Sequence, residues 1–315
     1  MKIAFLGNFE VDYSSETHHL KTLEAMGHEV TPLQERIAPT NEVLSVAQSS
    51  DVFVWVHTHG WKQPGSLTMK NVLDALKDKG VPSLTYHLDL WFGLQRQADM
   101  QSDDYWNIEY FFTVDKLMAD WFNKETDIKG HYIRPACYDL ECYPAFRYEK
   151  FTPNNNVIFV GSRGYHPEWK YRPQLINWLE ENYRNQFTHY GGDGPGGLKR
   201  GHDLNLLYAS SKVAVGDTLC LNFDYPYYWS DRIYETIGRG GFIIHPYIVG
   251  MEEEFIDGEH LRFYEYGNFD QLKELIDFYV KNDKEREEIR IRGQVHVMKN
   301  LTYRHRWNEI LEIVT

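Results

Sequence analysis

The chain of 315 residues is short of the features that mark several protein classes. It holds three cysteines, Cys137, Cys142 and Cys220, an odd number of which only two are close in sequence, so neither a disulfide framework nor a four-ligand zinc site is indicated. A reducing, cytoplasmic setting is expected. The longest apolar runs, such as Val52 to Val56 and Phe242 to Ile244, are strand-sized, far below the ~20 residues that span a bilayer. Met1-Lys2 leads straight into a strand-like run, and no signal peptide or membrane span is read. Positive charge is scarce too: 33 Lys and Arg stand against 46 Asp and Glu, a formal net charge of -13. Such a field disfavours a protein that coats nucleic acid, though it leaves room for a local basic groove. The G-x-x-x-x-G-K-[ST] phosphate loop does not occur, which removes the usual signal for nucleotide hydrolysis.

What is present is a globular composition, 42% hydrophobic and 25% charged with aromatics at 15%. At ~150 residues per domain the length predicts two domains. Lys2-Ile-Ala-Phe-Leu-Gly7 reads as a buried strand ending in glycine, and a helix follows with Ser14 or Ser15 as cap and Gly27 at its end. Strands at 28–33, 51–57, 81–87, 109–114 and 130–133 then alternate with helices at 42–49, 67–79 and 115–123. Such alternation predicts a parallel sheet, because a parallel crossover usually spends its residues on a helix. Pro135, Pro144 and Pro153 with Asn154-Asn155-Asn156 interrupt the rhythm, and the domain boundary is placed there, with domains at 1–148 and 149–300. Beyond it come strands at 157–160, 187–190, 212–215, 241–245 and 261–264, and helices at 172–183, 204–210, 231–239 and 270–281. Two further helical tracts end the chain, the last from Thr302 to Val314. The expected fold is therefore α/β, two Rossmann-like parallel-sheet domains facing a cleft, with ligands outside the carboxyl ends of the strands.

Three loops at those ends carry candidate chemistry. Ser230-Asp-Arg232-Ile-Tyr-Glu235 opens a helix in which Arg232 suits a phosphate and Glu235 a ribose, whose two hydroxyl protons one carboxylate accepts. The competing reading is an exposed i,i+3 ion pair worth tenths of a kcal/mol. Gly161-Ser162-Arg163-Gly164, with Lys170 and Arg172 behind it, places a glycine-flanked arginine at a strand end, as a diphosphate requires. The loop from Tyr190 through Gly191 and Gly192 to Gly197 permits close backbone approach to a flat group, or simply marks a mobile turn.

The stretch Ser230 to His245, the Val-Gly-Ser-Arg163 strand end, the Gly-Asp217 loop and Leu301-Thr-Tyr-Arg-His-Arg306 together resemble glycosyltransferases of the GT-B fold, particularly CgeB-like members of the group-one superfamily. The resemblance covers the second domain and reaches the first only as a pattern. It implies that Glu235 binds the ribose of a nucleotide sugar, that Arg163 and Arg232 neutralise its diphosphate, and that the last segment, 301–315, crosses back onto the first domain. Many relatives carry a second glutamate eight positions earlier, where this chain has Tyr227, so Asp217, Asp224 or a backbone amide would have to supply that contact.

The first domain is expected to hold the acceptor. Asp89 is the candidate general base, with His57 and His59 as the other titratable groups at strand ends. Each could equally serve a plain structural role, as a turn cap or a hydrogen-bonded loop residue. His18-His19 on the first helix would offer an imidazole to the cleft. No cysteine or carboxylate stands at a metal-ligand spacing from the His-x-His pair, so no metal is expected.

The resulting reading is a metal-independent, cytoplasmic hexosyl- or pentosyltransferase that takes its sugar from a UDP-linked donor and needs no cofactor beyond it. The acceptor is left open among glycan, small molecule, protein and modified nucleobase. A phage-type enzyme acting on hydroxymethylated DNA bases is disfavoured by the first 150 residues, where 14 Lys and Arg oppose 22 Asp and Glu. An epimerase of the same fold would use the same donor pocket without an acceptor, and a non-catalytic nucleotide-sugar sensor would bind the donor without turning it over.

Overall fold

The computed structural model describes residues 1–144, 156–164 and 166–315. The boundary expected at 148/149, together with Pro153, Asn154 and Asn155, lies outside the described residues. The chain divides into one unit of Met1–Arg134 with Tyr303–Thr315 and a second of Pro135–Thr302. The first unit thus closes at Arg134, earlier than expected, because the following residues are tied to the second. Cys137 bridges to Thr302, and Glu141 receives hydrogen bonds from Asn205 and Arg239.

In the first unit, β1 (Lys2–Gly7), α1 (Ser15–Ala25), β2 (Glu29–Gln34), α2 (Thr40–Ala47), β3 (Val52–Trp55), α3 (Met69–Lys79), β4 (Ser83–His87), β5 (Tyr110–Thr113), α4 (Lys116–Glu125) and β6 (Lys129–Tyr132) follow the anticipated alternation. The six strands are parallel in the order β2-β1-β3-β4-β5-β6. Local chemistry sets the helix ends: Ser14 accepts from the Thr17 N–H, Thr68 and Asn71 form a capping box, and Asp115 accepts from the N–H groups of Leu117 and Met118. Two 3-10 turns, Gln95–Gln101 and Asp104–Asn107, occupy the connection from β4 to β5, which the sequence pattern does not assign.

The second unit contains β7 (Val157–Val160), α5 (Tyr171–Tyr183), β8 (Phe187–Tyr190), α6 (Gly201–Ser210), β9 (Val213–Val215), α7 (Arg232–Gly238), β10 (Ile243–Pro246), β11 (Arg262–Tyr264), α8 (Phe269–Lys281) and α9 (Asp283–Asn300). Its sheet is parallel in the order β11-β10-β9-β7-β8. Strand β7 is buried along its whole length, as expected for a strand covered on both faces.

The last helix, α10 (Tyr303–Val314), belongs to the first unit. Trp307 is fully buried there and donates its indole N–H to Nδ1 of His19 at 3.1 Å. Burial lowers the His19 pKa to about 3, so the ring is neutral and able to accept. His19 therefore anchors α10 and is not an imidazole presented to a ligand, because the buried face of α1 carries it into the core. Among the described residues no helix is long and apolar enough to cross a membrane.

Replacing Trp307 with Ala removes a fully buried ring and leaves Nδ1 of His19 unpaired. Urea unfolding is expected to show a loss of about 3–5 kcal/mol, whereas exposed Ile313→Ala should change stability little.

Candidate functional site

In the second unit the strand ends meet closely. Gly161 leaves β7 with φ +149°, a conformation that L side chains rarely adopt, and Arg232 at the start of α7 lies over it: a Cβ built on Gly161 would stand 3.5 Å from the guanidinium carbon. Gly191, at the end of β8, approaches so near that its Cβ would sit 2.5 Å from the Gly161 carbonyl oxygen. His189 also engages this carbonyl through Nε2 at 2.6 Å. Gly192 has open space where a side chain would be. Ser230 donates its backbone N–H to Thr218 and accepts the Arg232 N–H on its hydroxyl, which sets the entry to α7.

Glu235 follows one turn later. It pairs with Arg239 at 3.2 Å, and not with Arg232 as the exposed i,i+3 reading requires. Burial would raise its pKa, but the charges of Arg239, Arg232 and Arg200 outweigh this and hold it below the ordinary carboxylate range. The side chain is 24% exposed, and only Oε1 is bonded to protein among the described residues, so Oε2 is open to a ligand. Arg239, 2% exposed, also bonds Asn205 and the carbonyl of Gly201, which makes it the internal counter-ion of this carboxylate.

The other expected donor residues divide. Arg163 turns onto α5 and pairs with Glu180 and Asn177, while its backbone N–H is held by Asp193. Lys170 is exposed where α5 begins, and Ser162 offers its carbonyl to Arg172. Asp217 is 1% exposed and receives Arg172 at 3.0 Å, Trp169 at 3.4 Å and the hydroxyl of Tyr266. Its oxygens are occupied internally, which removes it as a substitute for the missing glutamate. Tyr227 turns instead to Glu253, at 3.0 Å.

In the first unit a second set gathers at the carboxyl ends of β2, β3 and β4. Glu35 is fully buried and accepts from Trp55 (2.7 Å), the Thr58 N–H (2.8 Å), Gln63 (3.1 Å) and Nδ1 of His57. Nε2 of His57 lies 2.9 Å from Asp103. Burial would lower the His57 pKa, but its hydrogen bonds and charge contacts with Asp103 and Glu35 push it up to about 9. His59 packs against Trp91 and Trp106, and burial lowers its pKa to about 4. Both it and Asp103 line a cavity of about 620 Å³ together with Trp61, Lys62, Asp99 and Asp104. Asp89, half-buried beyond β4, lies within electrostatic reach of His59, His87 and Glu16.

Residues 172–312 match the family described as glycosyl transferase-like. The whole chain superposes on HepE from Anabaena, solved with UDP and glucose, at 14% identity and a TM-score of 0.65, covering 100% of this chain and 99% of that one. It likewise matches an alpha-glucosyltransferase solved with UDP-glucose and DNA containing an abasic site, at 11% identity and a TM-score of 0.70, covering 100% and 99%. A third match is a glycosyltransferase from Rickettsia africae, at 13% identity and a TM-score of 0.64, covering 99% and 97%. The chain has the GT-B fold of these glycosyltransferases. No curated protein matches the sequence.

Within this GT-B chain the structure adds groups that the sequence does not single out. Arg200 and Arg239 join the charges around Glu235; the signal for Arg200 is its place at the end of the glycine-rich loop. Asp103 reaches His57 from the unassigned connection after β4. Glu16, in the first turn of α1, has a pKa raised to about 7, chiefly by burial and further by the charges of Glu35 and Asp89, against the opposing hydrogen bond of Ser14. A carboxylate poised near neutral pH beside a strand end is a group suited to proton transfer.

Because the folded pKa of Glu16 lies above its ordinary value of 4.5, the protonated form is favoured in the fold. The stability it contributes is complete below about 4.5 and declines as pH rises through about 7. Glu16→Gln should thus become progressively more stable than the parent across that window, read by urea midpoints at successive pH values; parallel curves would refute the assignment. Gly191→Ala should force the ends of β7 and β8 apart and lower the melting temperature, since its methyl group meets backbone and not a flexible side chain.

Proposed function

We propose that the chain transfers a sugar from a nucleoside-diphosphate donor, UDP-linked, to an acceptor hydroxyl. The observation that carries this reading is the open Oε2 of Glu235 next to Arg232 on the Gly161 turn, within the segment that matches the glycosyl transferase-like family. A ribose offers two adjacent hydroxyl donors, and a carboxylate held ionised by neighbouring arginines accepts both. Arg232 and Arg200 neutralise the diphosphate, and Lys170 lies at the margin. Arg163 joins them by exchanging Glu180 for the donor, an exchange of a partly exposed pair worth about 0–1 kcal/mol. Gly191, Gly192 and Ser162 supply close-lying backbone. Stabilisation of the leaving diphosphate is then electrostatic, and in this reading arginines balance its charge in place of a metal. HepE and the alpha-glucosyltransferase, both solved with UDP compounds, support the choice of uridine.

The acceptor falls to the first unit. Asp89 serves as proton acceptor for the attacking hydroxyl, with Glu16 beside it. His57 is a positioning residue in this scheme, since both ring nitrogens already face carboxylates. The acidic lining of the cavity suits a hydroxyl-rich acceptor better than a nucleic-acid backbone. A modified DNA base is nevertheless the second reading, favoured by the alpha-glucosyltransferase neighbour and its bound DNA. The three buried free thiols fit a reducing compartment, which supports a cytoplasmic setting for the proposed activity.

Thermal-shift titration with UDP and UDP-sugars tests the donor assignment. A ligand at 100 times its dissociation constant should stabilise the fold by about 2.7 kcal/mol, and Glu235→Gln should lose most of that shift while keeping its unliganded midpoint near the parent's. A midpoint unmoved by every uridine compound would overturn the reading. Mass spectrometry of the donor alone, and then with glycan or hydroxymethylated DNA acceptors, separates transfer from epimerisation and from binding without turnover.

A further inference from the structure

We propose that His57, His59 and Asp103 form a binding site for a divalent first-row transition metal in the first unit. One donor atom from each of the three residues lies within 4.8 Å of the other two. Nε2 of His57 and Oδ2 of Asp103 are 2.9 Å apart. Two ligands each ~2.1 Å from one ion and at right angles stand ~3 Å apart, so this pair already has the spacing of adjacent ligands.

The surroundings orient these donors. Nδ1 of His57 is bonded to Glu35, the carboxylate-histidine arrangement that directs the opposite nitrogen toward a metal. Glu35 is itself held by Trp55, Thr58 and Gln63. Oδ1 of Asp103 accepts the Tyr105 N–H at 3.0 Å, which leaves Oδ2 directed at the histidine. A proton shared between His57 and Asp103 would account for their approach equally well. It leaves a second observation unexplained: Nε2 of His59 is buried and has no hydrogen-bond partner among the described residues. Buried polar atoms rarely stay unpaired, and a nitrogen-metal bond would satisfy this one.

The donor set selects the ion. Two imidazoles and one carboxylate suit zinc, cobalt, manganese or iron in the divalent state, whereas magnesium and calcium prefer oxygen ligands throughout. On binding, the ion replaces the proton between Nε2 and Oδ2, which leaves to solvent. Three protein ligands leave coordination positions vacant, and His59 and Asp103 both border the cavity of about 620 Å³, so water or a ligand hydroxyl completes the shell. All three residues belong to the first unit, and the inference does not depend on the donor assignment.

The test adds cobalt(II) chloride to chelator-treated full-length protein with no nucleotide present and follows visible d–d absorption. A saturable band at one equivalent, displaced by zinc, is expected, with apparent affinity reduced at least about 10-fold in both His59→Gln and Asp103→Asn. Circular dichroism of the metal-free variants confirms that they fold, and the parent protein supplies a measurement that no variant can obscure. No saturable band in the parent, or a band of unchanged affinity in both folded variants, overturns the site and leaves a shared proton as the occupant. Uridine compounds are absent throughout, so failure here leaves the donor reading standing, and failure of the thermal-shift titration leaves this one standing.

Discussion

Each unit is organised by one buried carboxylate that gathers the loops beyond its strands. In the first, Glu35 has no solvent exposure and draws Trp55, His57, Thr58 and Gln63 onto two oxygens. In the second, Asp217 does the same for Trp169, Arg172 and Tyr266. A buried carboxyl group is tolerable only when its oxygens find hydrogen-bond partners, and removing a partner leaves a buried polar group unsatisfied. The loops are thereby pinned where a parallel sheet places its ligand-binding end. Asp217 illustrates the division of labour this imposes: it shapes the strand-end loops of the second unit while both its oxygens are taken by internal partners.

The same logic separates the arginines. Arg239 and Arg172 are buried and committed, the first to Glu235 and the second to Asp217. Arg232 sits on a glycine whose backbone conformation L side chains rarely adopt, at the meeting point of two strand ends. Arg163 is held by a pair that solvent already weakens. In the proposed donor site, the structural cations are thus kept apart from those able to exchange partners with a diphosphate.

The architecture is largely legible in the residues. Alternating strands and helices and Ser14 as a cap depend on interactions within a few residues, and the structure shows them where the pattern puts them. Glu235 and Arg232 are also legible, because a helix following a strand fixes their spacing. The partner of Glu235 is not. Arg239 lies one turn further on, but its role depends on burial against Asn205 and Gly201, which no spacing rule contains. His19 departs from expectation for the same reason, since the helix face that takes it into the core is chosen by α10, which lies 288 residues away along the chain at Trp307.

What the amino-acid sequence determined alone was the succession of parallel strands, the glycines that let their ends approach and the residue types suited to a nucleotide sugar. Those follow from backbone sterics and hydrophobic periodicity, which act over short stretches. Tertiary structure decided which titratable groups share an environment: Glu16 with Glu35 and Asp89, and His57 with Asp103 across 46 residues. Desolvation and Coulomb energies depend on distance through space, so the protonation of these groups, and the ion that His57, His59 and Asp103 are proposed to hold, arise only once the strands have brought their loops together.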